Sequence, residues 1–264
     1  MDIKTSAYSC PLDHHGASLF IKGWTKEGSI PPCPPLILIQ DLGQTPDSYE
    51  TLALNLAERG IPTYLYDLRG HGPYSLPQGQ IPSIPILGLD LLQVAAWVSH
   101  LHSGQKPVIL AHGFSGAICL NFAKFYPIWC SKLIFLAPDF KSVEGFGPVK
   151  RLLLRALSRG FPKNPPPMFL SPFAKKNLIP LTNHSTWELL KSLSKTGKYL
   201  VRLNHPTLFL CPADSAKDLE RFLSKNKSQE PFKIEILEMS QELILGTDPK
   251  SLGSIVQWTL GDGL

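Results

Sequence analysis

The chain has 264 residues, 43% of them apolar, a length that suits one α/β domain with an insertion and a large core. A net charge of +5 is only mildly basic, so nothing in the charge balance calls for a nucleic-acid partner. The five cysteines (Cys10, Cys33, Cys119, Cys130, Cys211) are scattered, without C-x-x-C or Cys/His metal spacing. This excludes a disulfide framework or zinc module and fits a reducing, cytoplasmic compartment. The start, Met1 to Ser6, lacks the apolar core of a signal peptide. No stretch is expected to reach the roughly 18 apolar residues of a membrane span.

In chain order, Ala17 to Thr25 alternates loosely and reads as the first strand of a hairpin. Gly28 and Pro31-Pro32-Cys33-Pro34-Pro35 break it. Leu36 to Ile39 is a continuous apolar run, the pattern of a strand buried on both faces. Thr45 is placed to cap a helix with Pro46 at its first position, carrying Leu52, Leu54, Leu56 and Ala57 and stopping at Gly60. Thr63 to Tyr66 is a strand, and Leu87 to Leu101 has helical periodicity through Leu91, Val94, Ala95 and Val98. Val108 to Ala111 is the central strand. After it, Ala117 to Tyr126 reads as a buried helix ending at Pro127, and Lys132 to Leu136 as the next strand.

Residues 139–203 change character, being Pro-rich and basic with no clear strand. The β/α rhythm then resumes, with strands at Thr207–Leu210 and Lys233–Leu237 and helices over Ala216–Leu223 and from Asp248-Pro249 onward. Such alternation predicts an α/β fold, a mostly parallel sheet with helices on both faces. Residues 1–138 and 204–264 are its core, and 139–203 an inserted helical cap over the strand ends, where such sheets keep their sites.

The strand and sharp turn through Ala111-His112-Gly113-Phe114-Ser115-Gly116 have the setting of a nucleophile elbow. With Tyr66-Asp67-Leu68-Arg69-Gly70-His71-Gly72, Ile37 to Gly43, Pro77-Gln78-Gly79 with Asp90, and Pro206 to Asp214, the chain resembles the monoacylglycerol lipase and lysophospholipase branch of the α/β-hydrolases, the serine-aminopeptidase S33-like group. The cap is poorly matched. The resemblance implies an α/β-hydrolase fold and a Ser-Asp-His triad acting on lipid-like esters without a cofactor.

Carried over by position, the elbow has two registers. In one, Gly113-Phe114-Ser115-Gly116-Ala117 is the G-x-S-x-G motif and Ser115 the nucleophile. In the other, counting back from Tyr126-Pro127 places Gly113 at the serine position, beside His112. The acid position holds Asp214, with Asp218 as the alternative, and the histidine position holds Gln241 in Met239-Ser240-Gln241-Glu242. The family's His-Gly before the oxyanion loop is Gln40-Asp41. Leu42 and Phe114 would still offer backbone N–H groups to an oxyanion hole. Glycine cannot attack a carbonyl, and glutamine cannot take and return a proton near neutrality. Loss of one key triad member costs roughly a millionfold in turnover. The second register therefore describes a pseudoenzyme, with a lipid or acyl ligand or a partner in place of chemistry. The first leaves an active ester hydrolase, and a scaffold without a pocket is a third reading.

Pro148 to Arg159 reads as a basic amphipathic helix carrying Lys150, Arg151, Arg155 and Arg159. Its two readings are a solvated lid face and peripheral contact with an anionic membrane or acidic partner. The sequence shows no phosphate loop, no metal cluster and nothing that fixes an oligomeric state.

Overall fold

The computed structural model describes residues 3–11, 18–26, 33–71, 78–139, 147–167, 170, 180–200, 203–213, 215–217, 219–220, 232–237 and 248–261. Among these, eight strands form one sheet: β1 (Ile3–Pro11), β2 (Ser18–Lys26), β3 (Leu36–Ile39), β4 (Thr63–Tyr66), β5 (Val108–His112), β6 (Lys132–Leu136), β7 (Thr207–Pro212) and β8 (Phe232–Leu237). The spatial order is β1-β2-β4-β3-β5-β6-β7-β8. β1 and β2 are antiparallel to each other, and β2 is antiparallel to β4. From β4 to β8 every pairing is parallel.

The alternation of side chains across each strand makes two cores. Ile37, Ile39, Ile109, Ala111, Leu133 and Phe135 point to one face. Leu36, Leu38, Val108, Leu110, Ile134 and Leu136 point to the other. Every residue of β3 and β5 is buried, as continuous apolar runs require in a sheet covered on both sides. Helices α2 (Ile84–Leu101) and α3 (Gly116–Phe125) pack together over the first face. Over the second lie α1 (Glu50–Glu58) and α6 (Pro249–Leu260), which contributes Leu252, Ile255 and Trp258. Asp248 caps α6, accepting from the Ser251 N–H at 2.9 Å. Within residues 139–203, α4 (Pro148–Gly160) packs on α5 (Asn183–Leu200), which in turn packs on α3.

Three local expectations need correction. The hairpin begins earlier, because β1 pairs along its whole length with β2. As an edge strand it is mostly solvent-facing, so it carries no apolar run to betray it. Thr45 makes no side-chain cap, and Pro46–Tyr49 is a 3-10 turn that precedes α1. Helix α2 begins at Ile84, and its 18 residues have the length and composition of a membrane span after all. Half of that stretch is buried against the sheet and α3, which accounts for its apolar composition as a core helix.

A buried ion pair ties α2 to the turn after β4. Arg69 donates to both Asp90 carboxylate oxygens, from Nε at 2.6 Å and from the terminal nitrogen at 2.9 Å. Both side chains are buried. Breaking such a pair strands a charge, whereas replacing both partners with apolar groups removes the desolvation cost as well. Asp90→Ala is therefore expected to lower unfolding free energy by about 3–5 kcal/mol, read by urea denaturation. The double variant Arg69→Met, Asp90→Leu should recover most of that loss.

Candidate functional site

β3 and β5 are neighbours in register, Ile39 opposite Ala111, so the segments leaving their C-terminal ends lie side by side. From β3 run Gln40-Asp41-Leu42, and from β5 His112-Gly113-Phe114. Gly113 stands at the apex of the turn with φ +56, a left-handed conformation that glycine adopts at least cost. A short 3-10 turn, Gly113–Ser115, leads directly into α3. The Gly113 carbonyl accepts from the Asp139 N–H at 3.1 Å, which fastens the apex to the segment leaving β6.

The space beside the apex is filled by Asp41. Its Oδ1 accepts from the Leu42 N–H at 2.8 Å and from the Phe114 N–H at 2.7 Å. A Cβ built on Gly113 would land on all three atoms of this carboxylate, far inside van der Waals contact. Leu42 and Phe114 do converge as an oxyanion hole requires, but they serve Asp41 rather than standing open. Behind it, the Asp41 N–H donates to the Tyr49 hydroxyl at 2.7 Å, and that hydroxyl shares a hydrogen bond of 2.7 Å with His112 Nδ1. Burial, foremost, holds the Tyr49 phenol well above its ordinary pKa, and the nearby Asp41 charge adds to this.

The Ser115 hydroxyl is fully buried in the first turn after the apex and donates to the Gln40 carbonyl. His112 is buried and contacts Tyr49 edge-on, with ring centroids 5.7 Å apart. The expected acid, Asp214, its alternative Asp218, and Gln241 all lie outside the described residues. Lys150, Arg151, Arg155 and Arg159 are all exposed along α4.

The Asp67-to-His71 turn, prominent in the sequence, is a buried structural corner. His71 Nδ1–H donates to the Arg69 carbonyl at 3.1 Å, and burial lowers its pKa to about 4, so the ring is neutral. The Asp67 carboxyl is pushed up to about 6, first by burial and then by the Asp47 charge, with Lys22 opposing. Among the described residues no group of three or more His, Cys, Asp or Glu side chains could hold a metal ion. A cleft of about 440 Å³ opens between Gln80-Ile81-Pro82, Pro162-Lys163 and the first turn of α5. Neither Gly113 nor Asp41 lines it.

The strand order, the parallel run from β4 and the sharp turn between β5 and α3 define an α/β-hydrolase fold. A family model for serine aminopeptidase S33 matches residues 32–211, and the chain belongs to that family. It is similar to a Saccharomyces cerevisiae monoglyceride lipase, solved with a substrate analogue, at 15% identity and TM-score 0.68 over 97% of this chain and 92% of that one. It is also similar to the Paleococcus ferrophilus monoacylglycerol lipase, at 16% identity and TM-score 0.65 over 98% of both chains. At such identities the likeness is one of fold. An uncharacterized abhydrolase domain-containing protein of Dictyostelium discoideum is 29% identical over 118 residues, 45% of this chain but only 12% of that protein.

Sequence reasoning missed Tyr49 and the role of Asp41. Tyr49 ends a 3-10 turn and gives no motif signal. Asp41 is visible as a departure from the family's glycine, yet only the fold shows its side chain turning back onto its neighbour's N–H.

The Asp67 environment makes a stability prediction with a definite sign. A carboxyl whose folded pKa of about 6 exceeds its ordinary value of 3.8 binds more protons folded than unfolded between those limits. Its contribution is therefore favourable at low pH and declines as pH rises from about 4 to 6. Asp67→Asn should raise the unfolding free energy above pH 6 by about 1–3 kcal/mol, the gain vanishing below about pH 4 in pH-resolved urea titrations.

Proposed function

We propose that this chain is a non-hydrolytic member of its family, with Gly113 at the former nucleophile position, that works by binding through its cap. The observation that carries the reading is the apex of the elbow: glycine occupies it, and the hydroxyl two residues on, that of Ser115, is buried and committed to Gln40. Acyl transfer needs a nucleophile in reach of a base and a vacant pair of donors for the developing oxyanion. At this apex the nucleophile is missing and the donors are taken. Gln241 at the position of the relay histidine, with Asp214 at that of the acid, is the companion expectation from sequence.

The binding partner favoured by the surface is an anionic lipid layer, met by α4. Leu154 and Ser158 face inward on this helix. Outward, Val149, Leu152, Leu153 and Ala156 form an exposed apolar stripe, Val149 and Leu152 being 70% and 68% exposed. Arg151, Arg155 and Arg159, four residues apart, run as a cationic row beside it. An apolar stripe flanked by arginines suits an interface where acyl chains meet phosphate headgroups. The inserted cap, residues 139–203, is thereby the working region, and the cleft at Gln80, Pro162 and Lys163 is where a lipid-like ligand could seat. Five buried cysteines, none in a disulfide, support a reducing cytoplasmic setting.

Two measurements test this. A fluorophosphonate probe should leave the protein unlabelled; labelling at Ser115 would make it an active hydrolase. Vesicles containing phosphatidylserine should retain the protein in co-sedimentation and neutral vesicles should not, with Leu152→Asp abolishing retention. Equal retention by Leu152→Asp would remove α4 from the account.

A further inference from the structure

We infer that the paired N–H groups of Leu42 and Phe114 form an intramolecular carboxylate-binding site, permanently occupied by Asp41. This extends the non-hydrolytic reading, since it makes the elbow a closed structural clasp rather than an enzyme site lacking one atom.

Two backbone donors from different segments, one after β3 and one at the head of α3, meet on the single atom Asp41 Oδ1, at 2.8 and 2.7 Å. Hydrogen bonds to a charged acceptor are the strong kind. The Phe114 donor also lies at the N-terminal end of the turn into α3, where negative charge is favoured. The same chemistry that would steady a transient oxyanion here steadies a resident anion, and it joins two strands' worth of backbone. The carboxylate also fixes what residue 113 can be. With Asp41 in place, a serine or even an alanine at 113 collides with the carboxylate. Asp41 and Gly113 are thus one replacement made at two positions: neither the nucleophile nor an external acyl oxygen can return while Asp41 holds the donors. The site would accept a small carboxylate from solution only once its own is removed.

The test is chemical rescue of Asp41→Gly. The variant should melt below the wild type by about 5 °C or more. Sodium formate should restore at least half of that loss, saturably, while chloride at equal ionic strength should not, and neither should move the wild type. If the variant is too unstable to melt cooperatively, urea midpoints with and without formate read the same contrast. A second arm uses Gly113→Ala. The backbone strain of alanine at positive φ is common to both backgrounds, so any difference isolates the collision. Gly113→Ala should therefore cost much less in the Asp41→Gly background than in the wild type. An Asp41→Gly protein as stable as wild type, no response to formate, or an equal cost of Gly113→Ala in both backgrounds would each overturn the inference. None of these readouts involves hydrolysis, so they leave the non-hydrolytic reading to be judged by probe labelling alone.

Discussion

Two amide hydrogens pointing at one oxygen set the character of this molecule. In a serine hydrolase such a pair waits for a charge that exists only during turnover, and its value lies in being vacant and preorganised. In this chain the pair is satisfied at rest by Asp41. Around it, Gly113 has no room for a side chain, the Ser115 hydroxyl donates to the Gln40 carbonyl, and Tyr49 braces the clasp by joining the Asp41 backbone to His112. An apex that would otherwise store strain is relaxed, because glycine takes a left-handed backbone at little cost.

The sheet supplies the rigidity that makes this arrangement possible. β3 and β5 are adjacent, parallel and fully buried, so the two segments that contribute the donors are held by core packing rather than by the site itself. The Arg69–Asp90 pair acts in a similar way at the neighbouring strand, pinning the turn after β4 to α2. Exposed to solvent instead are the apolar stripe and arginine row of α4.

How far the sequence reveals this depends on the kind of signal each region leaves. Leu36–Ile39 and Val108–His112 are legible because strands buried on both faces must be apolar throughout, and α3 because its buried run is bounded by Gly116 and Pro127. The basic helix of the cap is legible from its spacing. β1 leaves no signal, since an edge strand with one packed face tolerates Lys4, Thr5 and Ser6. The first turn of α2 is hidden by Pro82 and Pro85, which read as loop although Pro85 stands in the helix's first turn. Gly113 reaches the serine position only in the register counted back from Tyr126-Pro127, and Asp41 appears in the sequence only as a substitution. Whether a carboxylate turns outward to solvent or back onto a neighbouring amide is settled by backbone geometry that no local pattern encodes.

The most direct measurement of the central claim is amide hydrogen exchange at Leu42 and Phe114 in the intact protein, resolved by NMR. If Asp41 holds both groups, the two amides exchange slowly, resonate well downfield, and lose both properties together in Asp41→Gly. Amides at these two positions that exchange as freely as groups lining an open pocket, and that do not respond to loss of Asp41, would contradict it.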